Sequence, residues 1–190
     1  MTAHTPAKVP VLTSDTTFIA EPVHEETPRH LAYRYMMAAT RLALGWVFLW
    51  AFLDKTFGLG HETPSDGAWI NGGSPTEGFL ANAPTGPFAD FYKDIAGATW
   101  ADWLFMVGLA GIGIALVLGV AMRIAAVSGA LLLVMMWTAV LPPDNNPFMD
   151  DHIVYALVLV LLAAIGAGKT LGLGRHWERL AIVKRFPILK

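Results

Sequence analysis

The sequence predicts an all-helical integral membrane protein, built as a bundle of four membrane-spanning helices. Of its 190 residues, 55% are hydrophobic and only 15% are charged, a composition typical of membrane proteins. The apolar residues form long runs, and a run of about 20 residues crosses a hydrocarbon core about 30 Å thick. The predicted spans are residues 35–57, 103–122, 124–141 and 153–168, of which the last is the shortest.

The composition also excludes several kinds of chemistry. The chain contains no cysteine, which rules out disulfides, thiolate nucleophiles, cysteine-ligated zinc and cysteine-ligated iron–sulfur clusters. It contains no P-loop, G-x-G-x-x-G or H-E-x-x-H motif. We therefore expect no metal and no nucleotide cofactor, and no nucleic-acid partner.

Residues 1–33 precede the first span and are rich in proline, threonine, histidine and glutamate, without an apolar run. A secretory signal places an apolar core directly after a basic start, and this stretch has none. We therefore expect a flexible cytoplasmic tail.

The first span carries three charged residues, Arg41, Asp54 and Lys55, in an otherwise apolar helix. At about 100° per residue, Arg41 and Lys55 share one face with two phenylalanines, whereas Trp50 and Asp54 share the opposite face. The long stems of Arg41 and Lys55 reach the head groups from a lipid-facing position. The short Asp54 side chain has no such reach, so it needs a partner or a place at the interface.

A long connection, residues 58–99, joins the first two spans and is too apolar for a simple linker. Ser74 to Glu77 form a capping-box pattern with proline at the first helical position, which predicts a short helix. A second short helix is predicted to begin at Phe88 and to end at Gly97. Together they predict an outer lid that lies on the membrane or dips into it.

Residues that are typical of helix starts and ends mark the limits of the second, third and fourth spans. Thr99 and Asp102 resemble a second capping box. Arg123 forms a tight turn between the second and third spans, Pro142-Pro143 ends the third, and Asn146-Pro147 opens the fourth. Small residues four apart favour close helix packing. These pairs are Gly111 and Ala115, Ala125 and Gly129, and Ala163 and Ala167.

The C-terminal segment, residues 175–190, is basic and amphipathic. Trp177, Leu180, Ala181 and Lys184 recur at helical spacing, so we expect one helix lying at the membrane interface. With four spans, this segment, the Arg123 turn and the N-terminal arginines fall on one side of the membrane. The positive-inside rule then predicts that both termini are cytoplasmic and that the lid is outside.

Three segments carry a resemblance to a known family: residues 78–89 (GFLANAPTGPFA), 103–109 (WLFMVGL) and 145–157 (NNPFMDDHIVYAL). They resemble the DoxX/DoxD membrane proteins, and within these the chain is more similar to DoxD, the large subunit of thiosulfate:quinone oxidoreductase. The resemblance extends over residues 36–175, so the sequence divides into the tail 1–33, a membrane domain 34–174 and the segment 175–190.

The resemblance implies a four-helix membrane fold in the cytoplasmic membrane of a bacterium or archaeon. For the DoxD branch it implies oxidation of thiosulfate to tetrathionate, with electrons passed to ubiquinone or menaquinone. It also implies a small DoxA-like partner subunit, of which this chain contains no trace.

Quinone reduction needs an apolar slot open to lipid, an aromatic wall, and polar groups that bond and protonate the two carbonyl oxygens. The outer end of the predicted bundle offers these groups. We expect His152, with Asp151 or Asp54, to supply protons, and Trp50 and Tyr155 to line the ring site together with His152. The alternative is that the aspartates beside His152 merely complement a helix N-terminus and that His152 is interfacial.

Lys55 and Arg41 are candidates for attracting an anionic substrate such as thiosulfate, and snorkelling to the head groups is the alternative for both. His61 is predicted to be a surface histidine on a glycine-rich stretch. The leading hypothesis is a membrane subunit of a quinone-linked oxidoreductase, with lipids, quinone and a second subunit as partners. The alternative is a non-catalytic accessory or assembly subunit of a respiratory or redox complex.

Overall fold

The structure, a computed structural model, describes residues 8–12, 18–22, 27–144 and 146–190. The chain forms two compact units, Met1–Arg34 and Tyr35–Lys190. The first contains two antiparallel strands, β1 (Lys8–Leu12) and β2 (Phe18–Pro22). The flexible tail predicted at residues 1–33 includes these strands; its residues 1–7, 13–17 and 23–26 lie outside the described residues, and its flexibility stays a prediction.

Among the described residues, three helices are long and apolar enough to cross a membrane, by length and composition: α1 (Pro28–Phe57), α4 (Thr99–Leu118) and α5 (Met122–Ala139). α1 begins earlier than predicted, with Pro28 in its first turn, where the missing N–H of proline costs no helical hydrogen bond. α4 and α5 each begin and end within four residues of the predicted bounds.

The fourth apolar helix, α6 (Asp151–Ala164), has 14 residues and is about 21 Å long at about 1.5 Å per residue. It begins later than the predicted Asn146-Pro147 start because the Asn146 side chain stabilises a turn there. Its Oδ1 accepts hydrogen bonds from the backbone N–H groups of Phe148 and Met149. That α6 crosses the membrane therefore stays a prediction.

Residues of α1, α4, α5 and α6 share one hydrophobic core. Glycines allow the closest approaches: a Cβ at Gly45 would lie 2.9 Å from Leu116 Cβ, and one at Gly113 would lie 2.8 Å from the backbone nitrogen of Leu49. Gly111, which was predicted to pack against a neighbouring helix, is instead exposed, with nothing within 4 Å of an added Cβ. Close packing of α4 thus depends on Gly113, two residues further along the helix.

The predicted orientation of α1 was wrong. Arg41 and Phe48, expected to face lipid, are buried, with exposed fractions of 0% and 4%, whereas Trp46 on the opposite side is 53% exposed. The Arg41 guanidinium finds backbone carbonyl groups inside the bundle, which makes burial of its charge tolerable. Snorkelling is therefore not what accommodates Arg41.

The lid, residues 58–99, follows α1. It contains the short helices α2 (Glu77–Asn82) and α3 (Ala89–Asp94), in the stretches where the sequence predicts helices. Three 3₁₀ turns accompany them: Ser65–Gly67, Trp69–Asn71 and Gly86–Phe88. The lid meets the ends of α4 and α5, so we call this end of the bundle, where α1 and α5 end and α4 and α6 begin, the lid end.

The opposite end, which we call the basic end, comprises residues 119–123 and 165–190. Instead of the single amphipathic helix predicted at residues 175–190, it contains α7 (Gly174–Trp177), α8 (Ala181–Arg185) and 3₁₀ turns at Ala167–Lys169 and Pro187–Leu189. Leu180, expected on the apolar face, is extended (φ −62°, ψ 137°) and breaks the helix. The chain then folds back, and the Trp177 indole Nε1–H donates to the Leu189 carbonyl at 2.5 Å.

Candidate functional site

Asp54 lies at the lid end of α1 and is 1% exposed. Its carboxylate accepts hydrogen bonds from three consecutive backbone N–H groups, those of His61, Glu62 and Thr63, at 3.3, 3.0 and 2.9 Å. These bonds compensate the cost of burying the charge. The backbone N–H groups of the lid are therefore the partner that Asp54 was predicted to need. Through them Asp54 fixes the start of the lid.

His61 is held by this anchor against an aromatic surface of α1. Its ring centroid lies 5.1 Å from that of Trp50, with the ring planes at 79°, an edge-to-face contact. The ring of Trp46 lies 5.8 Å from that of Trp50 and extends the aromatic surface outward. His61 is exposed, as predicted, but its contact with Trp50 was not predicted. The missed signal is the pairing of a buried acid at a helix end with amide donors seven to nine residues later.

His152 occupies the first turn of α6. Its Nδ1 lies 2.7 Å from Asp150 Oδ2 and 3.6 Å from Asp151 Oδ1. Because a carboxylate only accepts, Nδ1–H donates to Asp150, and Nε2 remains the ring nitrogen that can exchange a proton. Asp150 also caps the helix by accepting from the Ile153 N–H at 3.4 Å.

The carboxylate nearest to His152 belongs to a residue that we did not predict, Asp150. The expected Asp151 also lies within ion-pair distance of the imidazole but is largely exposed, with 68% of its side chain accessible, and Asp54 is hydrogen-bonded to the lid backbone. The role of Asp151 or Asp54 in supplying protons stays a prediction. Asp150 lies in the capping position, from which one carboxylate serves both the helix N-terminus and the imidazole. A cavity of about 420 Å³ opens beside this group and is lined in part by Met149, Asp150 and Asp151.

The same three residues have the donor atoms for a metal ion. One ligand atom each from Asp150, Asp151 and His152 lies within 4.8 Å of the others. The cap and the imidazole hydrogen bond account for Asp150 and His152 without an ion. Our expectation that the chain carries no metal is not tested by this arrangement.

Two further predicted site residues, Tyr155 and Lys55, also lie at the lid end. Tyr155 is half-buried and packs against the main core, and Lys55 is half-buried beside Asp54. Among the hydrogen bonds and ion pairs of the described residues, none joins Asp54 to His152. Their proposed roles as a proton path, a ring contact and an anion site stay predictions.

A buried acid that was predicted to form part of a helix cap, Asp102, anchors the middle of the lid. Asp102, 7% exposed, accepts hydrogen bonds from Ser74 Oγ at 2.8 Å and from Thr76 Oγ1 at 2.6 Å. It therefore does not form a capping box with Thr99, because its carboxylate is turned toward the lid. Ser74 Oγ in turn accepts from the Glu77 N–H at 3.1 Å, which is one of the two bonds of the predicted capping box, although α2 itself begins at Glu77 with Thr76 in the cap position and without a side-chain cap.

Arg41 lies toward the basic end, away from the lid. Its guanidinium donates to the carbonyls of Leu116 and Val117 at the end of α4, and to those of Thr170 and Leu171. These acceptors occupy both terminal nitrogens, and Nε is buried without a partner. Arg41 thus serves as a structural tie between helices, and its predicted role toward a substrate anion stays a prediction.

The DoxX family model matches residues 36–142, more than half of the chain. The chain belongs to the DoxX family. No curated protein and no solved structure matches it. DoxX proteins are a membrane family often linked to redox and quinone-related functions. The DoxX match includes Trp50, Asp54, His61 and Asp102 but ends before His152, which lies in the third of the segments that carry the resemblance.

Proposed function

We propose that this DoxX protein is the membrane subunit of a quinone-linked oxidoreductase of the thiosulfate:quinone type. The observation that supports it best is the contact between Trp50 and His61 at the end of an apolar helix. A quinone site needs a flat aromatic wall, a group that bonds and protonates a carbonyl oxygen, and access from lipid. Trp50 supplies the wall, His61 supplies the imidazole, and the exposed Trp46 continues the apolar surface toward lipid.

The position of His61 depends on Asp54, which fixes the backbone of residues 61–63. An imidazole on an untethered loop would lose conformational entropy on binding a ligand, whereas a tethered one is already oriented. Asp54 thus acts as a positioning residue in this proposal and does not itself transfer a proton.

The proposed reaction joins two half-reactions. Two thiosulfate ions lose two electrons and form the S–S bond of tetrathionate, and a quinone gains two electrons and two protons to become a quinol. His61 and His152 are the proposed proton donors, and Asp150 orients the ring of His152. Lys55 is the proposed attractor of the thiosulfate dianion, and a DoxA-like subunit is the proposed partner.

Substitution of the two histidines tests the proposal. The full chain, copurified with any partner, is reconstituted in proteoliposomes, and thiosulfate-dependent reduction of a short-chain quinone is followed. We expect His61→Gln and His152→Gln each to lower kcat by about 100-fold, the lower end of the contribution of a general acid, and His61→Gln also to raise the KM for quinone. The matched control is His30→Gln, because His30 is exposed and lies outside the compact unit Tyr35–Lys190. Unchanged kcat and KM in both variants would exclude the proposed roles.

A non-catalytic accessory subunit is the second candidate, and one observation favours it. Three buried charged groups, Arg41, Asp54 and Asp102, are occupied by hydrogen bonds that hold the fold together. Purification with native lipids separates the candidates. A bound quinone with thiosulfate-dependent activity supports the enzyme, whereas a stable larger complex, with neither quinone nor activity in the isolated chain, supports the accessory role.

A further inference from the structure

The basic end of the bundle combines a strong positive charge with exposed apolar side chains. Residues 165–190 contain six cations and one acid, Glu178, and Arg123 adds a seventh cation at the start of α5. Six large apolar side chains on the same segment are between 46% and 65% exposed. They are Leu171, Leu173, Leu180, Ile182, Phe186 and Ile188.

Neither water nor a soluble anion accounts for this combination. Apolar side chains exposed to water at this density lose the stabilisation of burial, whereas a bilayer interface covers them. The location fits an interface, because α4 ends and α5 begins here and both helices are apolar enough to cross a membrane. Cations beside an apolar surface at the end of spanning helices match the charge of anionic lipid head groups.

A cavity of about 260 Å³ lies at the same end of the bundle, lined by Arg123, Lys169, Trp177, Glu178 and Lys190 among others, whereas the six exposed apolar side chains lie outside its lining. Its lining includes three cations and one acid. Lys169 Nζ lies 3.0 Å from Glu178 Oε2, so one cation is neutralised by the acid and a net positive charge remains. The Arg123 guanidinium uses Nη1 to donate to the Pro187 carbonyl at 2.9 Å and has further N–H donors for another acceptor.

We propose that this cavity binds the phosphate head group of an anionic phospholipid, with the surrounding apolar side chains against its acyl chains. Arg123, Lys169 and Lys190 attract the phosphate. Trp177 lies at the cavity wall, and indole rings favour the membrane interface. The proposal is independent of the quinone chemistry, which concerns the lid end.

Native mass spectrometry of the detergent-purified chain tests this directly. The protein is incubated with an equimolar mixture of phosphatidylglycerol and phosphatidylcholine, and the ratio of retained lipids is measured. We expect a preference for phosphatidylglycerol that weakens as ionic strength rises, since the Debye length falls to about 10 Å at 0.1 M salt. Equal retention of the two lipids would overturn the proposal.

Two variants that change the charge of the cavity in opposite directions distinguish an effect of charge on lipid binding from an effect of misfolding. Arg123→Gln removes a cation from the cavity and is expected to lower the preference about fivefold, the contribution of one cation near a charged membrane surface. Glu178→Gln removes the acid and is expected to raise it. A general loss of structure cannot produce a rise, so lower preference in both variants contradicts the proposal. The matched control is Lys93→Gln, which removes an exposed cation from the lid.

Inorganic phosphate distinguishes a lipid from a free anion. The lipid proposal fails if millimolar phosphate displaces phosphatidylglycerol completely and if replacing exposed apolar side chains leaves lipid retention unchanged. The cavity is then a site for small anions. Ile182→Ser and Ile188→Ser, which reduce the exposed apolar surface, provide that comparison. In the lipid proposal both weaken retention of phosphatidylglycerol.

Discussion

Thr76 Oγ1 lies 2.6 Å from Asp102 Oδ1, and this hydrogen bond joins the lid to the first turn of α4. The same oxygen accepts from the Thr76 backbone N–H at 3.1 Å and from Ser74 Oγ at 2.8 Å. One buried carboxylate oxygen therefore holds three donors of a single lid turn. The lid is fixed to the bundle by an acid at the start of the next helix.

We expect Asp102→Ala to release this turn of the lid. Three donors lose their acceptor, and an unsatisfied buried polar group costs about 1–3 kcal/mol. Limited proteolysis should cut residues 58–76 faster, and the free energy of unfolding in detergent should fall. Asp90→Asn, an exposed acid of α3, is the matched control and should change neither. Proteolysis of Asp102→Ala at the wild-type rate would contradict the anchor.

Asp54→Asn is expected to loosen the loop that carries His61. Asparagine keeps one acceptor oxygen but loses the charge and places an NH₂ group opposite a backbone donor. Hydrogen bonds to a charged group contribute about 1.5–3 kcal/mol, so a fall in stability of that order is expected. Hydrogen exchange at the amides of residues 61–63 should rise. Glu62→Gln, on the same loop but exposed, controls for the loss of a charge, and equal exchange in the two variants would count against the role of Asp54.

Arg41→Lys is expected to destabilise the bundle, although the charge is kept. A lysine ammonium is a compact group, whereas the guanidinium reaches the carbonyls of Val117 and Leu171 with different nitrogens. Loss of hydrogen bonds to buried carbonyls costs about 1–3 kcal/mol each. Thermal unfolding in detergent measures the effect. Arg29→Lys, at an exposed position, should leave the transition unchanged, and a similar result for Arg41→Lys would show that the tie is dispensable.

Two glycines of α4 offer a matched pair. Gly113→Ala places a Cβ 2.8–3.0 Å from Leu49, so α1 and α4 must move apart. Gly111→Ala meets nothing within 4 Å and gains helix propensity of up to about 1 kcal/mol. We expect the first variant to unfold at a lower temperature than wild type and the second at the same or a higher one. The reverse order would contradict the packing of α1 against α4.

The sequence was sufficient for features that depend on local signals. Apolar runs located α1, α4 and α5, and the proline and capping pattern near Ser74 located α2. Local sequence signals did not predict which side of α1 faces the interior of the bundle. A charge near a helix end fits a lipid-facing position as long as its partners are unknown, and the partners of Arg41 lie 75 or more residues further along the chain.

The contacts of the candidate functional site were likewise not predictable from local sequence signals. His61 and Trp50 are separated by a helix end and a glycine-rich turn, so only the folded lid reveals that their rings meet. Asp150 was correctly placed at a helix N-terminus, but its second bond to His152 depends on the side-chain geometry of a cap. After α7 the chain folds back so that Trp177 bonds to Leu189, a contact between residues 12 apart that no local propensity encodes.

The lid also completes α5. Thr85 donates its backbone N–H to the Ala139 carbonyl at 2.9 Å and its hydroxyl to the Leu141 carbonyl at 3.0 Å, and the Tyr92 hydroxyl donates to the Met135 carbonyl at 3.0 Å. Ala139 is the last residue of α5, so its carbonyl has no partner within the helix and the lid supplies one, while the other two bonds fix the lid to the last turn and to the residues that follow it. Opening of the lid would break these hydrogen bonds and destabilise the last turn of α5. We therefore expect a lipophilic ligand to reach Trp50 sideways, from between the acyl chains, rather than through a gate above the bundle.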